Sequence, residues 1–164
     1  MISLTVEPLS TAAFTPFGHV VAIDTTKPIA INQGFATRWN DLVRIDVDAQ
    51  GGRAQVCLFE ASPRPTPIAV TMMERHPLGS QMFYPLQDTP WLVVVCSDPN
   101  EPSSYRAFLA SGRQGINYHR SIWHHPLLVL DADSRFIVVD RVGPGANLDE
   151  TWLRSEQHLH LTAI

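Results

Sequence analysis

Short apolar runs separated by turn-forming residues set the pattern of this chain. The runs cover Phe17–Ile23, Ala54–Ala61, Ile68–His76, Gln81–Leu86, Trp91–Cys96, Tyr105–Ala110, Leu127–Leu130 and Phe136–Asp140. Pro, Gly, Ser and Asp fill the gaps, and most of the thirteen prolines fall there. Runs of this length bounded by such residues read as strands. Trp91–Cys96 is almost continuously apolar, which predicts a strand buried on both faces. Asp131–Arg135 lies between two runs and predicts a hairpin. Helical spacing is scarce. Ser10–Thr15 predicts one turn ended by Pro16, and Asp149–Gln157 predicts a short helix. Asn32–Asp41 is polar and shows no clear period. Many short strands without helices between them predict an all-β sandwich or barrel with short helical segments near its ends. A doubly wound sheet is excluded on the same ground.

Composition narrows the partners more than the fold. A length of 164 residues predicts one domain over 1–164. The net charge of −4 offers no basic field for nucleic acid. Cys57 and Cys96 lie inside apolar runs and read as buried thiols. The first ten residues lack the pattern of a signal peptide, and no apolar run is long enough to cross a bilayer as a helix. A cytoplasmic protein without a nucleic-acid partner is the resulting expectation.

Histidine distribution points to chemistry. Four of the seven histidines lie in two segments, Glu74-Arg75-His76-Pro77-Leu78-Gly79-Ser80-Gln81 and Asn117 to Pro126. Side chains alternate faces along a strand. Glu74 and His76 therefore share a face, and Arg75 points the other way. Tyr118 and His124 share one parity in the later segment; His119, Trp123 and His125 share the other. His19, His158 and His160 read as surface residues, as do Arg38 and Arg44. Histidine serves as metal ligand or proton carrier near neutral pH.

The spacing of Glu74, His76 and Gln81, with His124 on a later strand, resembles the two-motif pattern of cupins. Glu74 stands where cupins usually place a first histidine, and Gln81 where they place a glutamate. Neutral Gln81 is a weaker ligand for a divalent cation than a carboxylate. The resemblance sharpens with ERHPLGSQ, QGINYHRSIWHHPL, Val139-Asp140-Arg141, LSTAAFTPFGHV and INQGFATRWNDL. These segments are similar, in collinear order, to the ureidoglycolate lyase family of allantoin degradation. That resemblance implies a cupin-like barrel, commonly dimeric, which splits (S)-ureidoglycolate into glyoxylate and urea. Nickel or another divalent ion is associated with some members of that family.

The reaction needs a base for the hydroxyl proton, an acid for the leaving nitrogen and a partner for the carboxylate. His76 and His124 are the central candidates, as proton carriers or metal ligands. Glu74 is a second base or orients His76, and Tyr118 donates a proton or a hydrogen bond. Glu74 and Gln81 complete the ligand set if a metal binds. Arg141 is the first choice for the carboxylate and Arg75 the second. Asn32 and Gln81 suit the urea amide. The competing readings are a ureido hydrolase that releases ammonia, and a non-catalytic cupin that binds a small acid. A metal-dependent dioxygenase is a more distant option.

Overall fold

In the computed structural model, which describes residues 2–162, the chain is mainly β. The strands are β1 (Ile2–Pro8), β2 (Gly18–Val21), β3 (Pro28–Ile31), β4 (Ala36–Trp39), β5 (Arg53–Ala61), β6 (Ala69–Val70), β7 (Met72–Arg75) and β8 (Gln81–Pro85). They continue with β9 (Trp91–Cys96), β10 (Tyr105–Ala110), β11 (Gly115–Tyr118), β12 (Trp123–His124), β13 (Leu128–Val129), β14 (Ser134–Val142), β15 (Asp149–Trp152) and β16 (Leu159–Thr162). The large sheet runs β15-β7-β12-β9-β10-β1-β16-β6, with β13 also paired to β9. The second sheet runs β2-β11-β8-β14-β5, and β3 and β4 form a separate hairpin.

Two cores follow from strand parity. Trp91, Val93 and Val95 of β9 point between the two sheets, where they join Phe83, Phe108, Ile116, Phe136 and Val138. Leu92, Val94 and Cys96 point to the opposite side and meet Val70, Leu159 and Leu161. Those partners belong to the same large sheet, so that sheet curls over its own second core. β9 is buried on both faces, as its apolar run predicts.

Local chemistry accounts for several boundaries. The predicted turn near the N-terminus is α1 (Thr11–Phe14), capped by a hydrogen bond from Ala13 N to Ser10 Oγ. Along β9, β12 and β13 occupy the same side in succession. His125 N still bonds to Val94 O, but Pro126 has no N–H, so the ladder breaks there.

Four expectations change. The hairpin expected around Asp131–Arg135 does not form: β13 pairs with β9 in the large sheet, whereas β14 pairs with β5 and β8 in the second, so the turn crosses between sheets. Ile68–His76 is not one strand: β6 pairs with β16, whereas β7 pairs with β12 and β15. Leu153 N donates to Thr71 O at the break. The helix expected over Asp149–Gln157 is strand β15 followed by a single 3-10 turn, Ser155–Gln157. Pairing with the edge of β7 satisfies that backbone and overrides a weak helical preference. The ends also carry β1 and β16, which run parallel to each other and close the second core.

Candidate active site

The two walls of the site are rows of side chains set by register. Residues directly opposite in an antiparallel pair project to the same face. On the large sheet Glu150 pairs with Glu74, Glu74 with His124, and His124 with Val95. Val95 belongs to the inter-sheet core, so the whole row faces the second sheet. On that facing sheet Tyr118 pairs with Gln81. The walls touch where the Tyr118 ring stacks on His124, with centroids 4.1 Å apart and planes 14° from parallel. His76 follows the end of β7, and its ring centroid lies 5.2 Å from that of His124.

Glu74, His76 and His124 each present a ligand atom, and these atoms lie within 4.8 Å of one another. Backbone carbonyls fix both imidazoles. Nδ1 of His76 meets Asn147 O at 2.8 Å, and Nδ1 of His124 meets Ile122 O at 2.9 Å. A carbonyl only accepts, so the proton sits on Nδ1 in each neutral ring. Both Nε2 atoms then offer lone pairs to the cluster, and both are buried with no hydrogen-bond partner among the described residues. Asn147 also fixes the loop after β7, because Leu78 N donates to its Oδ1 at 2.7 Å.

Electrostatics favour this state. Burial pushes the His124 imidazole below its ordinary pKa, and nearby His76 adds to that, against the opposing pull of Glu74. Burial alone would raise Glu74, but His124, His76 and His125 outweigh it and hold the carboxyl below its ordinary value. At neutral pH the cluster is therefore one carboxylate and a neutral His124. His124 Nε2 and Glu74 Oε1 are 3.5 Å apart, two acceptors that need a cation or a shared proton between them. Burial and the Glu74 charge raise the Tyr118 hydroxyl, which stays protonated and acts as a donor. Gln81 adds a buried Oε1 with no partner among the described residues.

Five expected residues thus converge: Glu74, His76, Gln81, Tyr118 and His124. Three others are placed elsewhere. Arg75 lies on the opposite face, paired with Asp149 at 2.8 Å and stacked over Trp123. Arg141 is buried, and its Nε and Nη2 donate to Ala49 O and Pro144 O, so its guanidinium ties loops together. Asn32 is exposed at the tip of the β3–β4 hairpin. His119 stands edge-on to exposed His19, outside the cluster. His125 is buried with Nδ1 on Pro126 O, and burial depresses its pKa to about 4, with Arg64 contributing. His158 and His160 are half-buried beside or within β16.

Two residues of the inward-facing rows went unassigned in the sequence, one of them, Glu150, exposed on the edge strand β15. Glu150 was hidden because its segment read as a helix. Asp140 shares parity with Val138 and Phe136, a signal that was legible, and the adjacent Arg141 could have paired with it. No such pair forms among the described residues.

Comparison with known proteins identifies the family. The family model described as ureidoglycolate lyase matches residues 1–160. A ureidoglycolate lyase of Rhizobium meliloti is 51% identical over 148 residues, covering 90% of this chain and 87% of the relative. One from Burkholderia mallei is 52% identical over 151 residues, covering 92% and 89%. One from Azotobacter vinelandii is 44% identical over 160 residues, covering 96% of each. Among solved structures, a mutant Bacillus subtilis oxalate decarboxylase is 11% identical with a TM-score of 0.37, over 80% of this chain and 31% of that one. On the sequence matches, which run nearly end to end, this chain belongs to the ureidoglycolate lyase family.

Proposed function

We propose that this chain cleaves the carbon–nitrogen bond of (S)-ureidoglycolate to give glyoxylate and urea, within allantoin and purine catabolism. The observation that carries the reading is the convergence of Glu74, His76 and His124 with both Nε2 lone pairs free. The family and the names of its relatives supply the substrate.

The substrate carbon bears a hydroxyl, a carboxylate and a ureido nitrogen. Its cleavage moves one proton from the hydroxyl oxygen to that nitrogen as the carbon–nitrogen bond breaks and the carbonyl forms. One group that reaches both atoms suffices. Glu74 fits: it is ionised, half-buried and central in its row. Tyr118 stabilises the developing oxygen charge by hydrogen bonding. The histidines have their Nδ1 protons tied to backbone, so they contribute Nε2 lone pairs and not a mobile proton.

Two imidazoles, a carboxylate and an amide oxygen also fit a divalent transition ion such as nickel. The Nδ1–carbonyl bonds are the outer contacts that orient histidine ligands. Glu74, His76, His124 and Gln81 would hold it, and it would supply a Lewis acid that lowers the pKa of the substrate hydroxyl. We further propose a cytoplasmic homodimer. Free Cys57 and Cys96 fit a reducing compartment. The outer face of β5 exposes Val56 and Leu58, 73% and 72% accessible, beside Val139 and Ile137 of β14.

The test is to incubate purified protein with (S)-ureidoglycolate and follow glyoxylate, urea and ammonia, before and after chelation. Glyoxylate with urea supports the lyase; glyoxylate with ammonia supports a hydrolase; no product removes both. Loss of turnover on chelation supports the ion.

A further inference from the structure

Asp140 is a carboxylate that the reaction as derived does not use. Its direction is settled twice by parity. Phe136 and Val138 of β14 point into the inter-sheet core, so Asp140 points to the same face. Its cross-strand partner is Gln55, on the parity of Cys57, Phe59 and Ala61, which also pack against that core. On its other side β14 pairs with β8 through Val139 and Met82. The next position in that register sets Asp140 beside Gln81. The inner row of this wall is therefore Tyr118, Gln81, Asp140 and Gln55, and it faces Glu74 and the two histidines.

The second observation is chemical. Asp140 Oδ1 is buried with no hydrogen-bond partner among the described residues. Its neighbour Arg141 projects to the other face and spends its donors on Ala49 O and Pro144 O. Buried acceptors in native structures are nearly always paired. An unpaired carboxylate oxygen beside a reaction centre is thus complementary to a ligand that brings N–H donors.

We propose that Asp140 recognises the ureido end of the substrate, by accepting hydrogen bonds from its N–H groups. This rests on the lyase reading above. A ureido group presents N–H donors on one edge, which a carboxylate accepts through two oxygens. The other end of the substrate is itself a carboxylate, which Asp140 and Glu74 repel. The two acids thereby orient the molecule: ureido group toward Asp140, carboxylate away from it. They also reject simple hydroxy acids, which leave the Asp140 acceptor unpaired.

The test uses two nearly isosteric ligands that cannot be cleaved in this way, N-carbamoylglycine and N-acetylglycine. They differ by an amino group against a methyl. Calorimetric titration of wild-type protein should show N-carbamoylglycine preferred by roughly tenfold or more, the range of a charged hydrogen bond. Asp140→Asn should shrink that preference several-fold or more. No preference in the wild type overturns the proposal, and so does a full preference that survives Asp140→Asn. If Asp140→Asn fails to fold, Gln55→Ala and Asp140→Ser are titrated with the wild type. Ureidoglycolate turnover by the wild type is a separate readout: its absence removes the lyase reading, while the ligand preference still decides the role of Asp140.

Discussion

At the scale of single residues, the fixed tautomers govern the chemistry. His76 and His124 each give Nδ1–H to a carbonyl, so each keeps one lone pair for the cluster. His76→Ala should lower turnover by about 10²–10⁴-fold, the usual worth of a positioned catalytic group, and should abolish high-affinity binding of added nickel. Steady-state kinetics and calorimetry check both; turnover within threefold of wild type would contradict the assignment. His125 makes a separate prediction about stability. Folded, it titrates at about 4 against an ordinary 6.5, chiefly because it is buried. The unfolded chain takes up the proton first, so stability falls as pH falls between those values. The loss is on the order of 3 kcal/mol between pH 7 and pH 4. Denaturant midpoints should drop over that window, and His125→Gln should flatten the drop.

Much of this level was legible beforehand. Parity alone put Glu74 and His76 on one face with Arg75 on the other, and grouped Tyr118 with His124. The setting of Arg141 was not legible, because a sequence shows a guanidinium but not the carbonyls it will meet. The Ala49 carbonyl lies 92 positions away. Asn147 was invisible for the same reason: its carbonyl holds His76 from 71 positions downstream.

At the scale of elements, β9 is the member both cores share. Each of its buried Leu and Val side chains contributes roughly 1.5–3 kcal/mol of apolar transfer energy. Leu92→Ala should cost about 2–5 kcal/mol by transfer and cavity together, and chemical denaturation will measure it. A cost below 1 kcal/mol would contradict the two-core arrangement. This strand was readable because six consecutive apolar residues admit few other placements. β7 and β15 were not, since both are defined by partners. The Ile68–His76 run changes neighbours at Thr71, and Asp149–Trp152 takes strand form only because β7 offers it an edge. Pairing across such distances leaves no periodic trace.

At the scale of the whole molecule, the second sheet presents an apolar outer face at its β5 edge. The proposed homodimer uses this face. Val56→Asp together with Leu58→Asp should convert a dimer to a monomer in sedimentation equilibrium, with the fold retained. A wild type that sediments as a monomer would contradict the dimer. The site itself needs both sheets, because Tyr118 and Gln81 come from one and Glu74 and His124 from the other. The central claim is that this junction breaks a carbon–nitrogen bond by moving a proton through Glu74. The most direct measurement is product stoichiometry from (S)-ureidoglycolate with wild type and Glu74→Gln. Wild type should release glyoxylate and urea in equal amounts without ammonia, and folded Glu74→Gln should lose about 10²–10⁴-fold of the rate. Ammonia in place of urea, or an undiminished rate in Glu74→Gln, would contradict it.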